Sequence, residues 1–194
     1  MQKTFTKTFM SENRGCYELS QLNACSFMNS EEISLASILD SEIKLKDKFW
    51  FVCRKLATKE QNQKIAIGVA EIVLEIYESK YPDNKAPREA IQAAKDYLNN
   101  TGITLEELRQ KRAAAAAAYA AAYAADAAAY AAAYAAYAAA DAAAYAAYAA
   151  ADAAAYAADA AADAAAYAAD AADAAGKDYK ELLLTFIKEF CKNA

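Results

Sequence analysis

Histidine is absent from this chain of 194 residues, and glycine and proline are scarce, with four and two copies. The lack of histidine removes the most common general base of enzymes and the most common zinc ligand. The four cysteines, Cys16, Cys25, Cys53 and Cys191, are dispersed and form no C-x-x-C pair. We therefore expect no catalytic residue, no metal and no cofactor, and we expect reduced thiols in a cytoplasm.

Long apolar runs are missing too. The N-terminus has no apolar stretch of the secretory type, and no segment is long and apolar enough for a membrane helix. The formal net charge is −5. Residues 113–175 carry seven Asp and no Lys or Arg, so this stretch has a charge of −7 and the rest of the chain +2. Duplex nucleic acid is bound largely by neutralising its phosphates, so we do not expect it as a partner of this acidic tract. Because no long apolar segment is present, we do not expect a membrane as partner either.

Residues 113–175 contain only Ala, Tyr and Asp. The Tyr and Asp are spaced 4, 3 and 4 residues apart, again and again, which makes an 11-residue repeat. Such a repeat gives about 3.67 residues per turn, close to the α-helical period, so all Tyr and Asp would share one stripe of a helix. Because alanine has the highest helix propensity and no Gly or Pro interrupts the tract, we predict a helix.

The tyrosine stripe has two interpretations. In one, small Ala faces let helices approach closely while Tyr fills the gaps. In the other, Tyr side chains line a binding surface, to which they bring large contact area at low entropic cost. Nine Tyr in one stripe favour a binding surface for some of them. The candidate ligand-binding residues are Tyr123, Tyr130, Tyr134, Tyr137, Tyr145 and Tyr148, with Arg88, Arg109 and Arg112 as cations for phosphates.

The tract is either one long rod or a hairpin of close-packed helices. Its unbroken phase favours the rod, whereas the need to bury apolar surface favours the hairpin, and we expect at least one break. Because alanine buries little area, most of the apolar core should come from other segments. The predicted fold is all-α, a helical bundle with a long Ala/Tyr/Asp-rich helix or helical hairpin.

Outside the tract, apolar spacing and capping signals predict several helices. Residues 1–44 are expected to form an irregular arm with a short helix, and residues 45–194 a helical domain. Within that domain we predict a compact buried helix over 47–56, a core helix from a Thr58 capping box to about Lys80, and a C-terminal helix over 178–192. Gly68 inside the core helix suggests close approach of a neighbouring helix. Trp50 is expected to lie in the core.

Residues 80–98, with the sequence KYPDNKAPREAIQAAKDYL, form the clearest corner, in which Pro82 ends one helix and Pro87 begins the next. This corner, the upstream Trp50-x-x-Cys53 and the Ala-rich region resemble a predicted immunity-protein family of bacterial toxin–immunity systems that also occurs in phages. The resemblance implies an all-helical intracellular protein that protects by binding and has no enzymatic activity. Family members carry His and Gly in the Ala-rich region, and this chain has neither there. From the motif, only Asp83, Pro87 and Arg88 carry over, as corner or site-edge residues.

Two functions follow from these patterns. The first is a non-enzymatic cytoplasmic binding protein that neutralises a protein toxin or defence factor, with a small nucleotide-like signal held in a Tyr-lined helical pocket as one route. If the chain is encoded by a phage, that cytoplasm is the host's. The second is a structural or assembly protein whose Tyr stripe drives helix–helix oligomerisation. An enzyme using Glu71, Glu75 and Glu78 as metal ligands is the least favoured, since a solvated helix face explains that spacing.

Overall fold

The computed structural model describes residues 4–13, 18–123, 134–135, 138–139 and 150–194. Within these residues the chain is almost entirely helical, and its strands are a single short antiparallel pair. The elements, in chain order, are β1 (Thr4–Thr6), α1 (Lys7–Glu12), α2 (Leu19–Asn23), a 3-10 turn (Ser26–Asn29), β2 (Glu32–Ser34), α3 (Leu35–Asp40), α4 (Leu45–Phe51), a π turn (Val52–Leu56), α5 (Lys59–Lys80), α6 (Ala86–Leu98), α7 (Leu105–Tyr123), α8 (Ala150–Ala175) and α9 (Lys177–Asn193). The predicted all-α fold is therefore confirmed.

Helix α5 is the core helix that the sequence predicts. It begins with the Thr58 capping box, in which Thr58 and Gln61 each accept a hydrogen bond from the other's backbone N–H. The predicted close approach at Gly68 is also present, because a Cβ at this position would collide with the ring of Phe186 on α9. One side of α5 packs on α8, and α6 and α9 contact it as well.

The corner between α5 and α6 matches its prediction in outline. Helix α5 ends at Lys80, and Pro87 lies in the first turn of α6. The turn is capped by Asn84, whose side chain accepts a hydrogen bond from the backbone N–H of Ala86 at 3.1 Å. Arg88 pairs with Glu78 across the corner, with Nε to Oε1 at 2.7 Å, and so ties the two helices together.

The Ala tract does not run as one rod. Tyr134 and Tyr167 are separated by 33 positions, from 134 to 167, which is about 50 Å along a straight α-helix. Their rings nevertheless touch, with centroids 3.9 Å apart. The chain must therefore reverse between them, and the expected break is confirmed. Gly176, which follows α8 with φ +125°, is the glycine that ends the tract, because L side chains rarely adopt that conformation.

Alanine supplies more of the core than expected. Helix α8 contacts α5, α4, the π turn and α9. Among the α8 residues whose burial the structure describes, from 160 onward, the buried ones are all alanine, at 161, 162, 164, 165, 168, 169, 171 and 172. The stripe residues Asp163, Asp170 and Asp173 are exposed. Because an alanine face adds little radius, larger side chains of several neighbouring helices can pack directly on this one. Most of the described buried hydrophobic residues nevertheless lie outside the tract, as the sequence predicts.

The first 44 residues are not an irregular arm where the structure describes them. Strand β1 pairs antiparallel with β2, and Phe5 lies opposite Ile33. The Phe5 ring stacks on Phe9 and meets the edge of Phe51 on α4, with centroids at 5.2 and 5.5 Å. The apolar residues of this region are too irregularly spaced to show a helical or strand period. They enter the core through tertiary contacts, which the sequence pattern does not reveal.

Candidate functional site

Most of the predicted tyrosine site lies outside the described residues. This is true of Tyr130, Tyr137, Tyr145 and Tyr148 and of the Tyr123 side chain. Tyr134 is half-buried, and its ring contacts Tyr167 at an interplanar angle of 42°. At this one described position, the tyrosine stripe packs one part of the tract on another. This favours the packing interpretation for Tyr134, and the binding role of the others stays a prediction.

The predicted cations do not form one cluster with free guanidinium groups. Arg88 is engaged by Glu78, and this hydrogen bond holds the pKa of the Glu78 carboxyl below its ordinary value. Arg109 lies on the first turns of α7, 3.9 Å from Glu106. Arg112 follows one turn later and is half-buried with an interaction of its own. Arg88 thus acts as the corner lock that the sequence allowed, rather than as a residue held open for a phosphate.

Two of the three glutamates considered as metal ligands are engaged in ion pairs. Glu71 pairs with Lys95 and Glu78 with Arg88, so both contacts join α5 to α6. Among the residues that the structure describes, no three His, Cys, Asp or Glu side chains are grouped as a metal site requires. The described cysteines, Cys25, Cys53 and Cys191, are free and buried. Burial raises the pKa of Cys53, and raises that of Cys191 to about 11, which makes both thiols unreactive.

A cavity of about 200 Å³ lies where α1, α2 and α3 meet α4 and α8. Trp50, the only tryptophan, lies half-buried in its wall. The apolar side of the cavity is made by Met10, Leu22, Phe27, Ile38, Ile43, Phe51, Ala162 and Ala166. We call this the Trp50 cavity. The sequence predicted that Trp50 would be a core residue, and it does pack on the core, but it also faces open space.

Charged groups rim the Trp50 cavity in balance. Its lining contains two cations, Lys46 and Arg54, and two carboxylates, Asp47 and Asp163. Asn13 also lines it. A site with an apolar floor, one large aromatic face and a few polar groups of both signs suits a small planar ligand with donors and acceptors on its edge. The site suits a ligand with several negative charges less well, since the carboxylates of Asp47 and Asp163 lie in the same wall.

A π turn continues α4 next to the cavity. In it the backbone N–H of Ala57 donates to the carbonyl of Val52, five residues back, at 2.8 Å. Such turns are rare and are frequently found at functional sites. The amine of Lys55 lies 5.5 Å from the centroid of the Trp50 ring, a cation–π contact. Trp50, Arg54 and Lys55 therefore form one aromatic and cationic group at the end of α4.

The site residues predicted from the sequence did not include Trp50, Arg54 or Lys55. The signal that could have found this site is the isolated Trp50 followed four and five residues later by two cations. The wall across the cavity is contributed by α8 and by the N-terminal segments, whose positions no local pattern predicts.

A second, wider groove of about 910 Å³ runs between α5, the end of α6 and α9. Its apolar residues include Ile67, Leu98, Phe186 and Phe190, and its charged residues are Lys59, Glu60, Lys64, Glu71 and Lys95. The groove is open, and it has mixed charge and no deep aromatic pocket, so it is a weaker candidate for a small ligand.

Comparison of this chain with protein-family models, curated proteins and solved structures gave no match. The resemblance to the immunity-protein family therefore stays a prediction from the corner motif and the Ala-rich region. No described helix is long and apolar enough to cross a membrane.

Proposed function

We propose that this protein is a non-enzymatic binding protein that neutralises a toxin or a defence component by sequestering a small nucleotide-like ligand. The observation that supports this proposal is the Trp50 cavity, in which the only tryptophan lies half-buried beside Arg54 and above an apolar floor. Stacking of a base on an aromatic side chain contributes about 1–3 kcal/mol. A cavity of this kind can therefore hold a base without a glycine-rich phosphate loop.

The charge balance of the cavity decides which part of the ligand it would hold. Asp47 and Asp163 disfavour a phosphate at the centre of the wall, whereas carboxylates and Arg54 can bond to the edge of a base. Lys46 is exposed at the rim and can face a phosphate that projects into solvent. We therefore place the base inside and the anionic group at the opening.

The assembly function has less support. Its premise is that the tyrosine stripe is free to join separate chains. The contact between Tyr134 and Tyr167 is made within one chain, so this part of the stripe is already used. A homo-oligomer built on the remaining tyrosines stays a prediction.

Native mass spectrometry of the protein, purified gently from cells that express it, tests the proposal. We expect a mass increment of several hundred daltons on the parent protein, and we expect its loss in Trp50→Ala. Lys64→Ala is the matched control, since Lys64 is exposed on the opposite groove. A third variant, with Tyr130, Tyr134 and Tyr137 all changed to Ala, examines the tyrosine stripe.

The outcomes separate the hypotheses. An increment that survives in Trp50→Ala and is lost in the triple tyrosine variant would move the site to the stripe. A clean mass for the monomer would contradict sequestration of any ligand present in those cells. A clean homo-oligomer that the triple variant dissociates would favour the assembly function instead.

A further inference from the structure

The π turn leaves one backbone carbonyl without its usual donor. In a regular α-helix the N–H of Ala57 would donate to the carbonyl of Cys53, four residues back. Here it donates to Val52 instead, at 2.8 Å. Cys53 is buried, so water cannot readily satisfy the carbonyl that is released.

Asn62 supplies the missing donor. It lies in the first turn of α5, is 1% exposed, and donates from Nδ2 to the carbonyl of Cys53 at 3.1 Å. Its second acceptor is the Ala57 carbonyl, at a longer 3.5 Å. The Asn62 amide therefore donates to the Cys53 carbonyl inside the π turn and to the Ala57 carbonyl directly after it.

The α register would remove this arrangement. If Ala57 donated to Cys53, this carbonyl would already have a donor, and the second bond from Asn62 would stabilise it less than the replacement bond does in the π register. The Asn62 Oδ1 has no hydrogen-bond partner among the described residues, so Nδ2 makes the bonds of this buried amide. The buried side chain thus favours the π register over the α register.

The register determines where Lys55 lies. Residues five apart in an α-helix point about 140° away from each other, so Lys55 could not cover Trp50 there. The π turn closes bonds between residues five apart and brings the two side chains to the same side. This is the observed contact, with the Lys55 amine 5.5 Å from the Trp50 ring centroid.

We propose that Asn62 is a positioning residue that holds the π turn at residues 52–56 and thereby keeps Lys55 over Trp50 at the cavity wall. The proposal concerns the same cavity as the proposed function but involves no ligand. Its test therefore needs none, and its failure would leave ligand binding untouched.

The test uses Asn62→Leu, which keeps a similar volume and removes the amide. Because Trp50 is the only tryptophan, its fluorescence reports the cavity wall directly. We expect the Trp50 emission of Asn62→Leu to shift in the same direction as that of Lys55→Gln. The double variant should shift no further than the larger single shift, because both changes remove one contact. Lys64→Gln, on the exposed face of α5, should leave the emission unchanged.

A crystal structure of Asn62→Leu decides the register. A bond from Ala57 N to Cys53 O supports the proposal, and a retained bond to Val52 O, with Lys55 still over Trp50, overturns it. If the variant does not fold, hydrogen exchange of the Asn62 side-chain amide in the parent protein takes the place of the crystal structure as the test. Exchange much slower than that of the exposed Asn99 supports a held amide, and exchange at the same rate overturns the proposal.

Discussion

The ring of Tyr134 lies against the ring of Tyr167, with the two centroids 3.9 Å apart. This contact joins two parts of an alanine tract whose sequence is nearly uniform. Because alanine buries little area, each large side chain in such a tract contributes disproportionately to holding it folded. The pair therefore anchors the reversal of the tract.

We expect Tyr134→Ala and Tyr167→Ala each to lower the free energy of unfolding, and the double variant to lower it by less than their sum. Aromatic pairs contribute about 0.5–1.5 kcal/mol beyond the area they bury, and this is the expected coupling. Chemical denaturation of the four proteins measures it. Tyr134→Ala combined with the exposed Leu19→Ala is the control and should be additive. Full additivity of the tyrosine pair would contradict the anchoring role.

The effect of Gly68→Ala on stability should change sign when the Phe186 side chain is removed. In the parent, Gly68→Ala places a Cβ in the space of the Phe186 ring, and such overpacking costs about 1–3 kcal/mol. Alanine also improves helix propensity by up to about 1 kcal/mol. We therefore expect Gly68→Ala to destabilise the parent but to stabilise a Phe186→Ala background, as measured by thermal or urea unfolding. Destabilisation of equal size in both backgrounds would show that the glycine is needed for another reason.

The pair of Arg88 and Glu78 should make stability depend on acid pH. Arg88 holds the pKa of the Glu78 carboxyl below its ordinary value, so the folded state binds this proton less readily than the unfolded state. The stabilisation is present above the ordinary glutamate pKa and is lost as pH falls through the lowered one. We expect Arg88→Gln to be less stable than the parent at pH 7, and the difference to shrink as pH falls below about 4.3. A difference that is constant with pH would exclude the ion pair as its cause.

The amine of Lys48 should be needed for the stability of the fold. It is 5% exposed, and Nζ donates to the carbonyls of Leu39 and Ser41 at 2.7 Å each, at the end of α3. Lys48→Met keeps the side chain as far as Cε but leaves both carbonyls without this donor, so we expect a loss of about 1–3 kcal/mol in unfolding free energy. Lys46→Met, on the exposed side of the same helix, should change stability by less than about 0.5 kcal/mol. Equal effects of the two changes would argue against a capping role.

Local signals predicted the helices well where they were strong. The Thr58 capping box and the Pro87 helix start both lie where the sequence placed them. Each signal depends on groups within a few residues of one another, such as a side chain that accepts from a nearby backbone N–H. Residues 52–56 were predicted as part of a plain helix, and the π turn was missed. The hydrogen bond that favours this turn comes from Asn62, which lies in the next helix, α5.

The candidate site was harder to predict. Trp50 was predicted to lie in the core, and nothing in the neighbouring sequence shows that it borders open space together with Arg54. The Trp50 cavity exists because α8 and the N-terminal segments close over α4. Those segments carry their apolar residues without a period, so their packing depends on contacts between residues far apart in the chain.

From the sequence alone it follows that this protein is helical, that its tract is in helical phase, and that its corner and caps lie where they do. These properties arise from backbone propensity and short-range hydrogen bonds. Tertiary packing is what makes the tract reverse, brings its bare alanine faces into the core and leaves Trp50 at the border of a cavity. The 11-residue repeat is equally compatible with a rod and with a hairpin, because periodicity specifies which residues share a face. Which surface that face meets depends on burial across the whole molecule.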